Sequence, residues 1–298
     1  MQYTRPPQIR HNLQQRAYSG AQQLLAAFAL LTACILFMLV FPATAHAKSY
    51  EMPQVDIQAQ METDGTLHVV EQRTFDFDGS YSAVWWTMNL LPSNAEFSVN
   101  GVRVMPVTGE GATEYSMTQV EEVPFDLKWR EEGGPGKDAY SVDSPKNTVY
   151  VFFGNTPKRI VVELDYTITN MAQMYDDVAE VYWRYVGSQW SAPSENVTAT
   201  LQLPLPQGTT VTPGDNVRAW GHGPLDGTVS VNADGSVTCT VPRIESGAYA
   251  EMRVLTPTAW LSNVSLKTLR LHAGEQRLDT VLKEEKSWAD KANTQRMM

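Results

Sequence analysis

The sequence predicts a mainly β fold: an antiparallel β-sandwich ectodomain, preceded by a signal or anchor helix and followed by a charged α-helix. Three observations carry this prediction. An unbroken apolar run occupies residues 24–41, short alternating segments fill residues 48–258, and helical spacing occurs near the C-terminus at residues 277–296. Strands at short spacing, with turn residues and no long amphipathic helix between them, are typical of an antiparallel sandwich.

The first 47 residues have the layout of a secretory signal. Three arginines precede the apolar run, and Ala45 and Ala47 provide the small residues that a signal peptidase needs in front of Lys48. The arginines stay in the cytoplasm by the positive-inside rule. We therefore expect the chain from about Lys48 onward to lie on the extracytoplasmic side of the membrane.

Two other fates of this leader lead to the same topology. The apolar run of 18 residues is just long enough to remain as an uncleaved membrane anchor. Residues 31–34 also resemble a lipobox that ends in Cys34, although the residues after it stay apolar. The helix-breaking Pro42 and the paired alanines favour cleavage after Ala47, which would make the domain secreted.

The composition of the exported part restricts its partners. The leader holds three of the 23 basic residues and none of the 33 acidic ones, which leaves a net charge of −13. This charge disfavours nucleic acid and anionic lipid head groups as partners. Cys34 and Cys239 are the two cysteines of the chain, so cleavage leaves Cys239 alone, and we expect it to be a buried core thiol.

Alternating apolar residues define the strands of the exported domain, residues 48–258. Residues 55–61 and 67–77 form the first pair, and Asp64-Gly65 supplies the tight turn between them. A last hairpin joins residues 228–231 to 236–241 through a turn that contains Asp234-Gly235. A glycine-rich polar stretch at about 110–146 is predicted to be an exposed excursion. The other predicted strands cover residues 97–107, 148–153, 159–168, 180–185, 196–203, 228–231, 236–241 and 249–255.

The chain changes character after residue 258. Residues 259–298 are predicted to be a linker and one exposed, charged helix over 277–296. Its narrow apolar stripe follows from helical spacing of Leu278, Val281, Leu282, Glu285 and Trp288.

No motif in the sequence fixes a reaction, so we predict a protein that is not an enzyme and needs no cofactor or metal. His222 lies between two glycines, and an exposed turn is favoured over a catalytic role. Asp176, Asp177 and Glu180 form an acidic cluster whose oxygens would suit Ca²⁺. The cluster lacks the spacing of a calcium loop, which favours a solvated acidic turn.

Large aromatic side chains are the most suggestive feature of the domain. Burial in the core is the ordinary role for such rings, but exposed tryptophans can also form platforms for sugars. Adjacent residues on a strand point to opposite faces. We therefore expect one ring of the Trp85-Trp86 pair to face the core and the other to face solvent. Together with the acidic cluster and Trp183, this pair is the predicted binding surface.

Several short blocks resemble a known family when they are taken in order. They are residues 64–72, 165–170, Asp176-Asp177 with 179–183, Trp190, Asn196-Val197, Leu203-Pro204, 221–227, Glu284-Glu285, Trp288, Ala292-Asn293 and Arg296. In this respect the chain resembles the extracellular domain of bacterial predicted membrane proteins of domain-of-unknown-function family 2207. The resemblance implies an exported β-rich domain held at the membrane, and no reaction.

Members of that family usually continue into membrane-spanning segments after the charged helix. This sequence ends at Met298, so we expect a truncated product, a released domain, or a leader that serves as the anchor. The leading functional prediction is non-catalytic binding or assembly at the cell envelope, with envelope proteins or cell-wall glycan as partners. The alternatives are a carbohydrate-binding or sugar-processing domain, and a structural ectodomain that reaches a membrane protein through the helix.

Overall fold

The computed structural model describes residues 48–107 and 116–297, together with Phe28. The predicted leader, with Ala45, Ala47 and the apolar run, lies outside these described residues apart from Phe28. The described part of the chain is mainly β, with 46% strand and 14% helix. The strands are β1 (Ser49–Met61), β2 (Leu67–Asp78), β3 (Ala83–Thr87), β4 (Glu96–Pro106), β5 (Thr118–Gln119), β6 (Glu121–Glu122), β7 (Ala139–Asp143), β8 (Thr148–Phe152), β9 (Arg159–Thr169), β10 (Gln173–Met174), β11 (Ala179–Val186), β12 (Ser194–Gln202), β13 (Arg218–His222), β14 (Thr228–Val231), β15 (Ser236–Ile244) and β16 (Ala250–Thr256).

The strands form three sheets. The first has eight strands in the order β14-β15-β12-β1-β2-β9-β4-β5, the second is β10-β11-β16-β13, and the third is β3-β8-β7-β6. The prediction of antiparallel pairing is correct for most neighbours, but β1 pairs with β12 and β6 with β7 in parallel. Parallel pairing needs a long connection, which an analysis of neighbouring segments does not detect.

Two predicted hairpin turns are confirmed. Gly65 and Gly235 have φ of +85° and +84°, a region that glycine adopts without steric cost. In each turn the preceding aspartate accepts a hydrogen bond from the backbone N–H two residues later, from Thr66 to Asp64 at 2.8 Å and from Ser236 to Asp234 at 3.0 Å. This local bonding explains why a short sequence pattern suffices to predict the turns.

The prediction of an exposed excursion over residues 110–146 is wrong at its C-terminal end. There the chain forms β7, in which four of five residues are buried, between β8 and β6 in the third sheet. The strand is only five residues long and follows a glycine-rich loop, so its alternation is too short to stand out. β8 and β6 pair with its two edges.

The hydrophobic core draws on all three sheets. Val55 and Leu164 come from the first sheet, Val254 from the second, and Trp86 and Val149 from the third. The chain is therefore a mainly β protein with several sheets around a common core. Their arrangement as a two-layer sandwich stays a prediction.

Three short or surface helices complete the described chain. They are α1 (Trp129–Glu132), α2 (Leu266–Leu271) and α3 (Leu278–Arg296). The predicted C-terminal helix over 277–296 thus agrees with α3 to within one residue. Val281 and Glu285 are the buried residues of α3, which is the narrow inward stripe expected from its spacing. Within residues 48–107 and 116–297, no helix combines the length and apolar character needed to cross a membrane.

Candidate binding surface

The third sheet turns its two adjacent tryptophans to opposite sides. Trp85 is 54% exposed, whereas Trp86 is 4% exposed. Trp86 packs edge-to-face on Phe75 and Trp190, with ring centroids 5.9 and 5.5 Å apart. Its Nε1–H donates a hydrogen bond of 2.9 Å to Glu71. The alternation expected for this pair is therefore observed, and only Trp85 is available to a ligand.

Trp85 borders a groove of about 560 Å³ that is lined mainly by aromatic rings. Tyr150 and Phe152 lie on one face of β8 and stack at 6.3 Å. Phe125 stacks on Tyr150 at 5.3 Å, and Trp129 meets Phe152 edge-on at 5.2 Å. Trp85 lies 6.4 Å from Tyr150. These five rings, together with Tyr81, define the aromatic groove.

Polar groups stand around the aromatic groove. Lys48, Ser80, Ser82 and Asp126 line it together with the rings. A cavity with apolar walls and a few polar groups is the usual form of a ligand-binding site. Gly134 (φ +98°) lets the adjacent loop pass close to the groove, because a Cβ there would lie 2.7 Å from the Phe152 ring.

The predicted acidic residues lie elsewhere, at the start of α3. Asp177 accepts hydrogen bonds from the backbone N–H groups of Arg277 (2.8 Å) and Leu278 (3.0 Å). Asp176 accepts one from Gly274 at 3.0 Å. A carboxylate at this position accepts hydrogen bonds from backbone N–H groups that have no partner within the helix. It is also stabilised by the positive end of the helix dipole. Both aspartates lie in a bend, with Asp176 exposed to solvent and Asp177 partly buried, and from there they bind the backbone at and before the start of α3.

Glu180 belongs to a buried charge cluster around Arg253, which is 1% exposed. The guanidinium donates to Glu180 at 2.5 Å and Glu285 at 2.9 Å, and pairs with Glu284 at 2.8 Å. Burial alone would lower the pKa of Arg253, but bonding to these three carboxylates outweighs it and raises the pKa above its ordinary value. These four residues, called the Arg253 cluster, join sheet and helix.

His222 lies beside this cluster, and the prediction of an exposed turn there is wrong. The ring is covered because His222 ends β13 beneath α3. Its Nε2 is 2.9 Å from Glu285, while the buried Nδ1 has no hydrogen-bond partner in the described part of the chain and lies 3.8 Å from Glu251. Tyr182 and Trp288 meet the imidazole edge-to-face at 5.6 and 4.8 Å.

A second buried arginine lies inside the core. Arg73 is paired with Glu71, donates to the Ser194 hydroxyl at 3.3 Å, and stacks over Trp190 at 4.5 Å. Glu71 also accepts the indole N–H of Trp86. These five residues are called the Arg73 cluster. Neither arginine cluster is predictable from the sequence, because its arginine and carboxylates form no recognisable local pattern.

The remaining predicted residues, Trp183 and Cys239, lie in the hydrophobic core. Trp183 is buried and packs against Tyr185 at 5.9 Å. Cys239 is buried, as expected, and burial raises the pKa of its thiol to about 12. The structure therefore does not bring the six predicted surface residues together. Trp85 alone lines the aromatic groove, while Trp86, Glu180 and Trp183 are buried.

One exposed leucine beside the aromatic groove was not predicted from the sequence. Leu90 follows β3, is 62% exposed, and has φ of +59°. It lines a small cleft together with Trp85, Gln189 and Trp190. No sequence signal predicts this conformation, since leucine rarely adopts positive φ.

The fold and the surface define a mainly β domain with an aromatic groove and a C-terminal helix attached through buried charges. Residues 51–256 match the family "Predicted membrane protein (DUF2207) N-terminal domain". The chain belongs to this family, whose function is unknown. The resemblance inferred from the short sequence blocks is thereby confirmed.

Solved structures show only distant likeness. A candidate protease from Parabacteroides distasonis has a TM-score of 0.39 and 11% identity, over 70% of this chain and 40% of that one. An M1 zinc metallopeptidase from Deinococcus radiodurans has a TM-score of 0.35 and 12% identity, over 68% and 42%. The chain thus spans about two fifths of the length of these structures. No curated protein matches the sequence.

Proposed function

We propose that this chain is a non-catalytic binding and assembly domain on the extracytoplasmic face of the membrane, with the aromatic groove as its binding surface. The observation that carries this proposal is the exposed Trp85 on the wall of a groove that is lined by five further aromatic rings. Solvent-exposed tryptophan in a concave aromatic site is costly unless a partner covers it, and such rings are enriched at binding surfaces.

The positions of the charged groups support binding over catalysis. Asp176, Asp177 and Glu180, the acidic residues considered for chemistry, are engaged by backbone N–H groups and arginines at α3. They do not line the aromatic groove. Their carboxylates stabilise the attachment of a helix, which is a structural task.

Topology is tested by labelling the full chain on spheroplasts with a membrane-impermeant maleimide. The variant carries Cys34→Ser and Ser262→Cys, which places one reactive thiol at an exposed position. Cys239 serves as internal background, because it is buried and its thiol pKa is about 12. We expect Ser262→Cys to be labelled without lysis. Labelling that requires lysis would refute the extracytoplasmic location.

Binding at the groove is tested with a photo-crosslinking amino acid in the full chain in intact cells. Ser82 lies on the groove, and Lys267 on α2 is an equally exposed comparison position. We expect adducts at position 82 that vanish with Trp85→Ala and do not form at position 267. Equal adducts at both positions, or insensitivity to Trp85→Ala, would contradict the proposal.

Carbohydrate binding is the second candidate, favoured by Trp85 standing in one groove with Ser82, Asp126 and Lys48. A sugar would stack on the indole and hydrogen-bond to these polar groups. Sedimentation of the full chain with purified insoluble cell-wall glycan tests it. Trp85→Ala should abolish co-sedimentation, whereas Trp288→Ala, an exposed tryptophan outside the groove, should not. If both variants co-sedimented with the glycan equally, carbohydrate binding at the groove would be excluded.

A further inference from the structure

Leu90 has a backbone conformation that its side chain disfavours. Its φ of +59° lies in the left-handed region, where a leucine Cβ crowds the backbone. Among the non-glycine residues of the described chain, three others have positive φ: Asn147, Asn170 and Asn196. Glycine aside, the described part of the fold therefore places asparagine, which tolerates this conformation, at every positive-φ position except this one.

The leucine gains nothing from burial that would offset the strain, because its side chain is 62% exposed. Strained residues that point into solvent are common at functional sites. An exposed apolar side chain at such a position is explained if a partner covers it. This observation is independent of the aromatic groove.

Leu90 extends the aromatic groove into a longer apolar surface. It shares a cleft with Trp85, and Trp85 shares the groove with Phe125 and Trp129. Leu90, Trp85, Phe125 and Trp129 are the four residues that we call the apolar strip.

The surroundings of the apolar strip favour lipid as its partner. The chain belongs to a family of predicted membrane proteins, and Lys48, which follows the predicted leader directly, lines the groove beside Trp85. Tryptophan and lysine are enriched where proteins meet the membrane–water interface. The net charge of −13 for residues after the leader makes electrostatic attraction to anionic lipid unfavourable, so contact must come from apolar insertion.

We propose that the apolar strip lies in the membrane–water interface, with Leu90 and Trp85 inserted among lipid head groups and upper acyl chains. This inference rests on the proposed extracytoplasmic membrane location and names the partner of the same surface. Because insertion is apolar, the contact is insensitive to salt, in contrast to charge-driven binding.

The test uses the full chain with Cys34→Ser, reconstituted into phosphatidylcholine vesicles whose acyl chains carry bromine. An environment-sensitive dye is attached at Leu90→Cys or, as the matched control, at Leu266→Cys, a leucine on α2 that is 70% exposed. Bromine quenches dyes that reach the acyl region. We expect several-fold stronger quenching at position 90 than at 266, unchanged by added salt. Equal quenching at both positions overturns the proposal.

A second variant separates lipid contact from a structural role. With the dye at Ser82→Cys, an exposed position on the groove, Leu90→Asn should reduce quenching while leaving the unfolding temperature unchanged or higher, because asparagine suits the backbone conformation. A lower unfolding temperature with unchanged quenching would assign Leu90 a structural role and overturn the proposal. Quenching equal to that of position 266, combined with crosslinks at Ser82 to protein, would assign the strip to a protein partner. The maleimide experiment at position 262 then shows separately whether the extracytoplasmic location holds.

Discussion

The two buried arginine clusters each neutralise a buried guanidinium, but with carboxylates from different parts of the fold. Arg73 is paired with Glu71, two residues away on the same face of β2, and stacks on an indole. Arg253 contacts Glu180 of the neighbouring strand together with Glu284 and Glu285 of α3. The first cluster connects side chains within the core, whereas the second connects the β domain to a separate helix.

This difference determines what each cluster controls. Burying charges is expensive, so an ion pair adds little net stability, but removing one partner leaves a costly unpaired charge. Removing a charge from the Arg73 cluster can act only by disrupting the core. Removing a charge from the Arg253 cluster can instead release α3, since the carboxylates of this cluster regain water when the helix moves away. The four variants below test this distinction, from the largest expected effect to the smallest.

Arg253→Met should have the largest effect. It removes the buried counter-charge of Glu285 and leaves Glu180 paired only with the partly exposed Arg277, which should lower the free energy of unfolding by about 3–5 kcal/mol. Urea denaturation measures the loss, and hydrogen exchange should show α3 losing protection before the β core. Arg277→Met is the control, since Arg277 is partly exposed and its loss should cost less. Uniform loss of protection over the whole chain would refute a separable helix.

Arg73→Met should cost about 3 kcal/mol, because it leaves the Glu71 carboxylate buried and unpaired. The double variant Arg73→Met/Glu71→Gln removes both charges and keeps an acceptor for the indole N–H of Trp86. It should recover most of the lost free energy of unfolding, measured in urea. If the double variant were no more stable than the single one, packing of the arginine over Trp190 would be the dominant contribution.

Asp177→Ala removes the acceptor of two backbone N–H groups at the start of α3. Loss of such a cap should lower the free energy of unfolding by about 0.5–2 kcal/mol. Exchange of the amides of Arg277 and Leu278 should accelerate most. Asp176→Ala, which removes one bond to a loop, should have a smaller effect. Equal effects of the two variants would show that Asp177 does not act as a cap.

Tyr182→Phe should have the smallest effect, about 1 kcal/mol, through loss of a 2.7 Å hydrogen bond to Glu251. Burial, reinforced by this bond, raises the pKa of Tyr182 above its ordinary value of 10.0. The folded protein therefore keeps this proton at higher pH than the unfolded chain. The resulting stabilisation is present below pH 10 and is lost as the pH rises above it.

Denaturation of both proteins from pH 8 to about pH 11 measures this contribution. The difference in stability between wild type and Tyr182→Phe should shrink as the pH rises past 10. A difference that stays constant would show that the hydroxyl does not titrate in this way.

Local signals made parts of the fold predictable. The Asp64-Gly65 turn, the helix over 277–296 and the opposite orientations of Trp85 and Trp86 depend on neighbours within a few residues. The Arg253 cluster depends on partners 73 and 32 residues away, which a single sequence does not pair. For the same reason His222 was predicted to lie in an exposed turn, since nothing near it indicates that α3 covers it.

The binding surface was predictable only in part. Trp85 could be found because strand geometry requires one ring of the pair to face outward. The other walls of the groove, Phe125 and Trp129, come from a polar, glycine-rich stretch in which no periodicity indicates a common surface. The left-handed backbone of Leu90 contradicts its residue type, so sequence analysis could not have found it.

The parallel pairing of β1 with β12 has a consequence for the order of folding. One side of β1 is occupied by β2, which follows after a short turn, but the other side pairs with residues 194–202. If the chain emerges from its N-terminus, that edge of β1 stays unpaired until the chain has been made as far as Gln202, which is 141 residues after the end of β1. An open strand edge invites mispairing. We expect β1 and β12 to pair late, after most of the domain has been synthesised, so that a chaperone protecting this edge would increase the yield of folded protein.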